Sequence, residues 1–75
     1  MEQKIHYVSL IKFHSNKSDK DFFQIQYVIN HKGVTQFISE ELYNKFSDKK
    51  LIELKEYVAT FETNSRMGLE LVDIK

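Results

Sequence analysis

Asp21-Phe22-Phe23-Gln24-Ile25-Gln26-Tyr27-Val28-Ile29-Asn30 decides how this chain folds. Its odd positions, Phe23, Ile25, Tyr27 and Ile29, are large and apolar, and Phe22, Gln24, Gln26 and Val28 alternate with them. A period of two in β-branched and aromatic residues predicts a strand with one buried face. The flanking segments read as partners for that strand.

On its N-terminal side, Ile5 to His14 reads as a first strand. Ile5, Tyr7, Ile11 and Phe13 share one parity, with Val8 and Leu10 on the other. Ser15-Asn16-Lys17-Ser18-Asp19-Lys20 is a polar run of turn formers. A hairpin across it is expected to pair Phe13 with Phe23, Ile11 with Ile25, Ser9 with Tyr27 and Tyr7 with Ile29. The small Ser9 opposite the large Tyr27 makes this register sterically sensible.

On the C-terminal side, Asn30-His31-Lys32-Gly33 is the expected turn, with Gly33 supplying positive φ. Val34 to Ser39 reads as a third strand. A four-residue loop sets Val34 against Ile29 and Ile38 against Ile25. A three-residue loop would exchange the faces of Phe37 and Ile38. The four-residue loop is preferred because it matches apolar with apolar.

Ser39-Glu40-Glu41 has the form of a helix start, a capping hydroxyl followed by two acids that suit the dipole. Leu42, Tyr43 and Phe46 are spaced for one helical face, and Ser47 to Lys50 ends the helix. Periodicity leaves residues 51–56 open between helix and strand. Tyr57 to Thr63 and Met67 to Ile74 read as two final strands, with Asn64-Ser65 as the turn and Gly68 marking a possible bulge. The expected architecture is a single domain over residues 1–75, mainly β, in the order β-β-β-α-β-β. Five strands in so short a chain suggest a small β-barrel carrying one helix.

Composition narrows the function. Seventy-five residues allow one small domain, and a chain of that size buries only about 60% of its unfolded surface. Without Cys there is no disulfide and no thiolate for zinc or catalysis. No long apolar run is present, so no membrane span is expected. Met1-Glu2-Gln3-Lys4 lacks the basic and apolar regions of a signal peptide, and a cytoplasmic location is expected. Eleven basic and eleven acidic side chains cancel. Residues 1–36 carry five Lys against three acids, and residues 37–75 carry six basic against eight acidic side chains. A duplex binder would be strongly basic. Near-neutral charge also leaves a homodimer or higher homo-oligomer open.

No catalytic constellation is found. His6 and His14 lie too far apart along one strand to share a metal, and no acid-rich loop supplies one. Glu40-Glu41 and Glu53/Glu56 fit helix capping and a solvated face. Neither glycine belongs to a phosphate-binding loop. No enzyme activity, metal or cofactor is therefore expected.

The aromatic content says more: six Phe and four Tyr. Phe13, Phe23, Tyr27 and Phe46 are assigned to the core. The opposite face of the hairpin would carry Lys12, His14, Phe22, Gln24 and Gln26, with Phe37 beside Gln26. Lys17, Lys20 and Lys32 sit in neighbouring loops. Exposed aromatics among cationic and amide side chains suit stacked bases and phosphates. The competing reading makes Phe22 and Phe37 a second small core over Val8, Leu10 and Val28, or a dimer contact.

The order of three strands, a helix and a closing hairpin, with Val58-Ala59-Thr60-Phe61-Glu62-Thr63 and Gly68-Leu69-Glu70-Leu71-Val72-Asp73-Ile74 as that hairpin, resembles small OB-fold single-stranded-DNA-binding proteins of phages and mobile elements. The resemblance implies a ligand crossing strands two and three, between the loops at Asn16–Lys20 and Asn64–Arg66. Lys12, Lys17, Lys20, Lys32 and Arg66 would then meet phosphates, and Phe22 and Phe37 would stack on bases. The alternative function is a small protein-interaction module, such as a phage-type inhibitor or adaptor, using the same aromatic face.

Overall fold

The computed structural model describes residues 1–63 and 68–75. It is mainly β with one helix: β1 Glu2–Ser15, β2 Lys20–Ile29, β3 Lys32–Ile38, α1 Glu40–Asp48, β4 Glu56–Thr63 and β5 Leu69–Ile74. The five strands form one sheet in the order β3-β2-β1-β4-β5, with every neighbouring pair antiparallel. The sheet is open. β3 and β5 are its edges, so the closed barrel expected from the strand count is not formed.

β1 organises the sheet because its two ends take different partners. Residues 2–6 pair with β4 and residues 6–15 with β2. Between Tyr7 and Ser9 the register with β2 slips by one, and Val8 has no partner in that ladder. A bulge of this kind inserts one residue, bends the strand and increases its right-handed twist. It also changes which side chains face which way. Before it, Ile5 and Tyr7 are buried; after it, Leu10 pairs with the buried Ile25 and joins the core.

The hairpin register therefore differs from expectation. Phe13 pairs with Phe22 instead of Phe23, and Ile11 pairs with Gln24 instead of Ile25. Phe13 leaves the core and is 41% exposed. Lys12 pairs with Phe23 and His14 with Asp21, so both turn to the opposite face from the one predicted.

The β2–β3 hairpin is tighter than expected. Ile29 pairs with Lys32, leaving Asn30 and His31 as a two-residue loop with φ of +52° and +64°. Positive φ at both central residues is the turn that matches the twist of a hairpin. Asn30 and His31 supply it, and Gly33 does not have positive φ. The register slips by two relative to the preferred reading, which preserves the faces. Val34 pairs with Tyr27 and Ile38 with Phe23 on the core side, while Phe37 lies outward beside Gln24.

α1 begins where Ser39 accepts a hydrogen bond from the Leu42 amide at 3.1 Å, with Glu40 and Glu41 in the first turn. Its apolar face puts Phe46, 0% exposed, onto the concave side of the sheet. There Phe46 meets Ile5, Tyr7, Ile25, Tyr27, Phe61 and their buried neighbours. The helix ends at Lys49, and Lys50 adopts φ +51°. Residues 51–55 are loop. They return alongside β1, where the Leu54 amide donates to the Tyr7 carbonyl at 2.6 Å and the Tyr7 amide to the Lys55 carbonyl at 3.2 Å. The predicted turn at Asn64-Ser65 lies outside the described residues.

Candidate functional site

Three phenylalanines from three successive strands line up on the convex face. Phe13 of β1 stacks on Phe22 of β2 with centroids 5.5 Å apart and planes at 24°. Phe22 meets Phe37 of β3 edge-on, at 6.1 Å and 70°. Each is placed there by its strand parity, with the core residues Phe23 and Ile38 on the other face. Offset stacking and T-shaped contact are the favoured aromatic geometries. The rings thus hold one another in place on the sheet face opposite the core. Phe37 is 59% exposed, and Phe22 is half-buried between its neighbours.

A polar row runs parallel to the rings. The Ser9 hydroxyl donates to the Gln26 Oε1 at 2.8 Å, and the Gln26 Nε2 donates to the Thr35 Oγ1 at 3.4 Å. Gln26 therefore uses its amide to tie β1, β2 and β3 together. The side chain of Gln24, which sits between Ile11 and Phe37 in the ladder, has no hydrogen-bond partner among the described residues.

The predicted cations divide. Lys20 lines an open cleft of about 640 Å³ together with Asp21, Phe22, Phe37, Ile38 and Glu40. Lys17 lies in the β1–β2 turn, separated from Lys20 by Ser18 and Asp19, and neither lysine has an ion-pair partner among the described residues. Lys12 sits on the concave side, its Nζ 5.8 Å from the Phe23 ring centroid. Lys32 is at the far end of β3, beside the hairpin loop. Arg66 lies outside the described residues.

His14 is taken up by the turn. Its Nδ1 is 2.9 Å from Asp21 Oδ1 and its Nε2 3.2 Å from Asp19 Oδ1. The clasp closes the turn and withdraws His14 from the aromatic row. No group of three or more His, Cys, Asp or Glu among the described residues could hold a metal ion.

No family model, curated protein or solved structure matches this chain.

The geometry therefore carries the functional reading. The groups whose protonation the fold shifts lie away from the row. Burial pushes the Tyr27 and Tyr7 phenols up. A hydrogen bond from Lys45 pulls Asp73 down. The row offers flat apolar faces with an amide and the Lys20 ammonium beside them, an arrangement suited to stacking.

Sequence reasoning missed Phe13 as a member of this surface. The signal was present in the adjacent apolar pair Tyr7-Val8, which breaks the alternation. Past it, Leu10 continues the buried set on the even parity.

Proposed function

We propose that this chain is a non-enzymatic module that binds single-stranded nucleic acid, most simply single-stranded DNA, across the convex face of β1, β2 and β3. The observation that carries the reading is the Phe13–Phe22–Phe37 row. Base–aromatic stacking is worth roughly 1–3 kcal/mol per base and accepts any base. Phe13 and Phe37 offer the exposed rings, Phe22 spaces them, and Lys20, with Lys17 in the preceding turn, would meet phosphates at one end.

The strand order is compatible with an OB-like plan. Closing this sheet into a barrel would require joining its edges β3 and β5. The Gln36 side chain, which bonds to the Leu71 backbone, bridges that gap.

A second reading draws on a different observation. β3 is an edge strand that carries the exposed Phe37. An edge strand is a template for strand addition, so a partner protein or a second copy could use the same surface.

Fluorescence anisotropy with labelled oligo-dT at low salt tests the proposal. Saturable binding that is weakened in Phe37→Ala supports it. Absence of binding by folded protein moves the assignment to the protein-interaction reading.

A further inference from the structure

The cleft at the end of the aromatic row has a chemistry that the row lacks. It opens where the last β2–β3 pair, Phe23 with Ile38, gives way to the turn into α1. Its walls include Phe22, Phe37 and Ile38, and its charged groups are Lys20, Asp21 and Glu40. It is a shallow cleft of about 640 Å³, open to solvent rather than enclosed.

The Glu40 and Lys20 side chains have no hydrogen-bond or ion-pair partner among the described residues. Asp21 has one oxygen committed to His14 at 2.9 Å. Ser39 is committed too, its hydroxyl oxygen capping the helix at the Leu42 amide. The cleft therefore presents one uncommitted carboxylate and one uncommitted ammonium beside the Phe22 and Phe37 rings.

We propose that this cleft takes a single guanine base, a selectivity that rests on the nucleic-acid reading of the aromatic row. The rings favour a ligand with a flat π-face. Guanine carries two adjacent donors, N1–H and the N2 amino group, which match the two oxygens of the Glu40 carboxylate. Its O6 and N7 are acceptors, a match for the Lys20 ammonium. Thymine and uracil place carbonyl oxygens on both sides of their single N–H and would set an oxygen against the carboxylate. Adenine and cytosine offer one amino group beside an acceptor nitrogen and fall between. The cleft lies against Phe22 and Phe37, so a strand stacked on the row would reach it with its next base.

The same carboxylates and rings could also hold an arginine side chain of a protein partner. The experiment separates the two. Labelled dT pentamers with one central guest, G, A, C or T, are titrated at low salt by anisotropy, and a tetra-arginine peptide is titrated beside them. The expected result is a G guest bound about tenfold more tightly than T, the range set by one good two-point base contact. In Glu40→Gln, with folding checked by thermal melting, the G-to-T ratio should fall below twofold. Equal affinities for G and T, with dT still bound, overturn the guanine assignment and leave the row's function standing. An unchanged ratio in Glu40→Gln also overturns it. Tetra-arginine bound more tightly than every oligonucleotide assigns the cleft to a protein ligand. If no oligonucleotide binds at all, the underlying function fails and the guanine assignment falls with it.

Discussion

Gln36 holds the backbone of Leu71 as a neighbouring strand would. Its Nε2 donates to the Leu71 carbonyl at 3.1 Å and its Oε1 accepts from the Leu71 amide at 3.0 Å. The same Oε1 accepts from the Tyr27 hydroxyl at 3.3 Å. β3 and β5 are opposite edges of the sheet, so one side chain links them across the concave face. Leu71 is fully buried, and its amide and carbonyl depend on this side chain for partners.

Removing the Gln36 amide should therefore cost more than an ordinary surface change. Gln36→Met leaves the Leu71 amide and carbonyl facing an apolar side chain, and each unsatisfied buried group costs about 1–3 kcal/mol. The expected loss, measured by urea unfolding, is roughly 2–4 kcal/mol. Hydrogen exchange at the Leu71 amide should accelerate beyond that of the central strands. A loss under about 0.5 kcal/mol, the size of a neutral surface substitution, would mean that packing alone holds the edges together.

The aromatic row predicts a separation of binding from stability. Phe13→Ala and Phe37→Ala remove exposed rings, and each should weaken oligo-dT binding by about 1–3 kcal/mol with little change in melting temperature. Phe22→Ala should affect both, because the ring is half-buried between its two neighbours. Phe46→Ala is the control, expected to cost about 3–5 kcal/mol of stability through the cavity it leaves. If Phe37→Ala destabilises the fold as badly as Phe46→Ala, the row is structural.

Salt dependence should be shallow. Of the predicted cations among the described residues, Lys20 lies beside Phe22 and Phe37, and Lys17 sits in the turn that leads into β2. Two phosphate contacts on a single strand give a slope of log K against log salt of about −1.4. A slope steeper than about −3 would require more phosphate contacts than these two lysines provide.

The Lys45–Asp73 pair ties α1 to β5 at 3.0 Å. The hydrogen bond from Lys45 lowers the Asp73 pKa, an effect opposed by partial burial. A carboxyl with a folded pKa below its unfolded value adds stability above the unfolded value and loses it as the pH falls. Both side chains are more than a third exposed, so the contribution is screened. Lys45→Met should cost about 0.5 kcal/mol or less near neutral pH. Its difference from the parent protein should shrink as the pH falls below about 4, where the carboxyl protonates in the unfolded chain. Urea unfolding at several pH values measures this, and a difference that grows in acid would contradict the assigned sign.

Local pattern was enough to place much of this molecule. The alternation from Phe23 to Ile29 identified β2 and its buried face, since side chains in a strand point to opposite sides at every step. The Ser39-Glu40-Glu41 cap and the Leu42, Tyr43, Phe46 spacing located α1 within a residue or two of its observed ends. Phe37 was placed outward because a slip of two residues in the β2–β3 register leaves the faces unchanged.

Tertiary structure decided what counting along the chain could not. One unpaired residue, Val8, reverses the parity of β1 beyond it. It moves Phe13 from the expected core to the convex row and turns Lys12 and His14 away from that row. Residues 51–55 became a loop because the Leu54 and Lys55 backbone bonds to Tyr7, a contact between segments far apart in sequence. Whether β3 and β5 pair as strands or meet through the Gln36 side chain depends on how far the sheet curls. That curl depends on bulges and on the partners each end of β1 takes, which are properties of the assembled sheet.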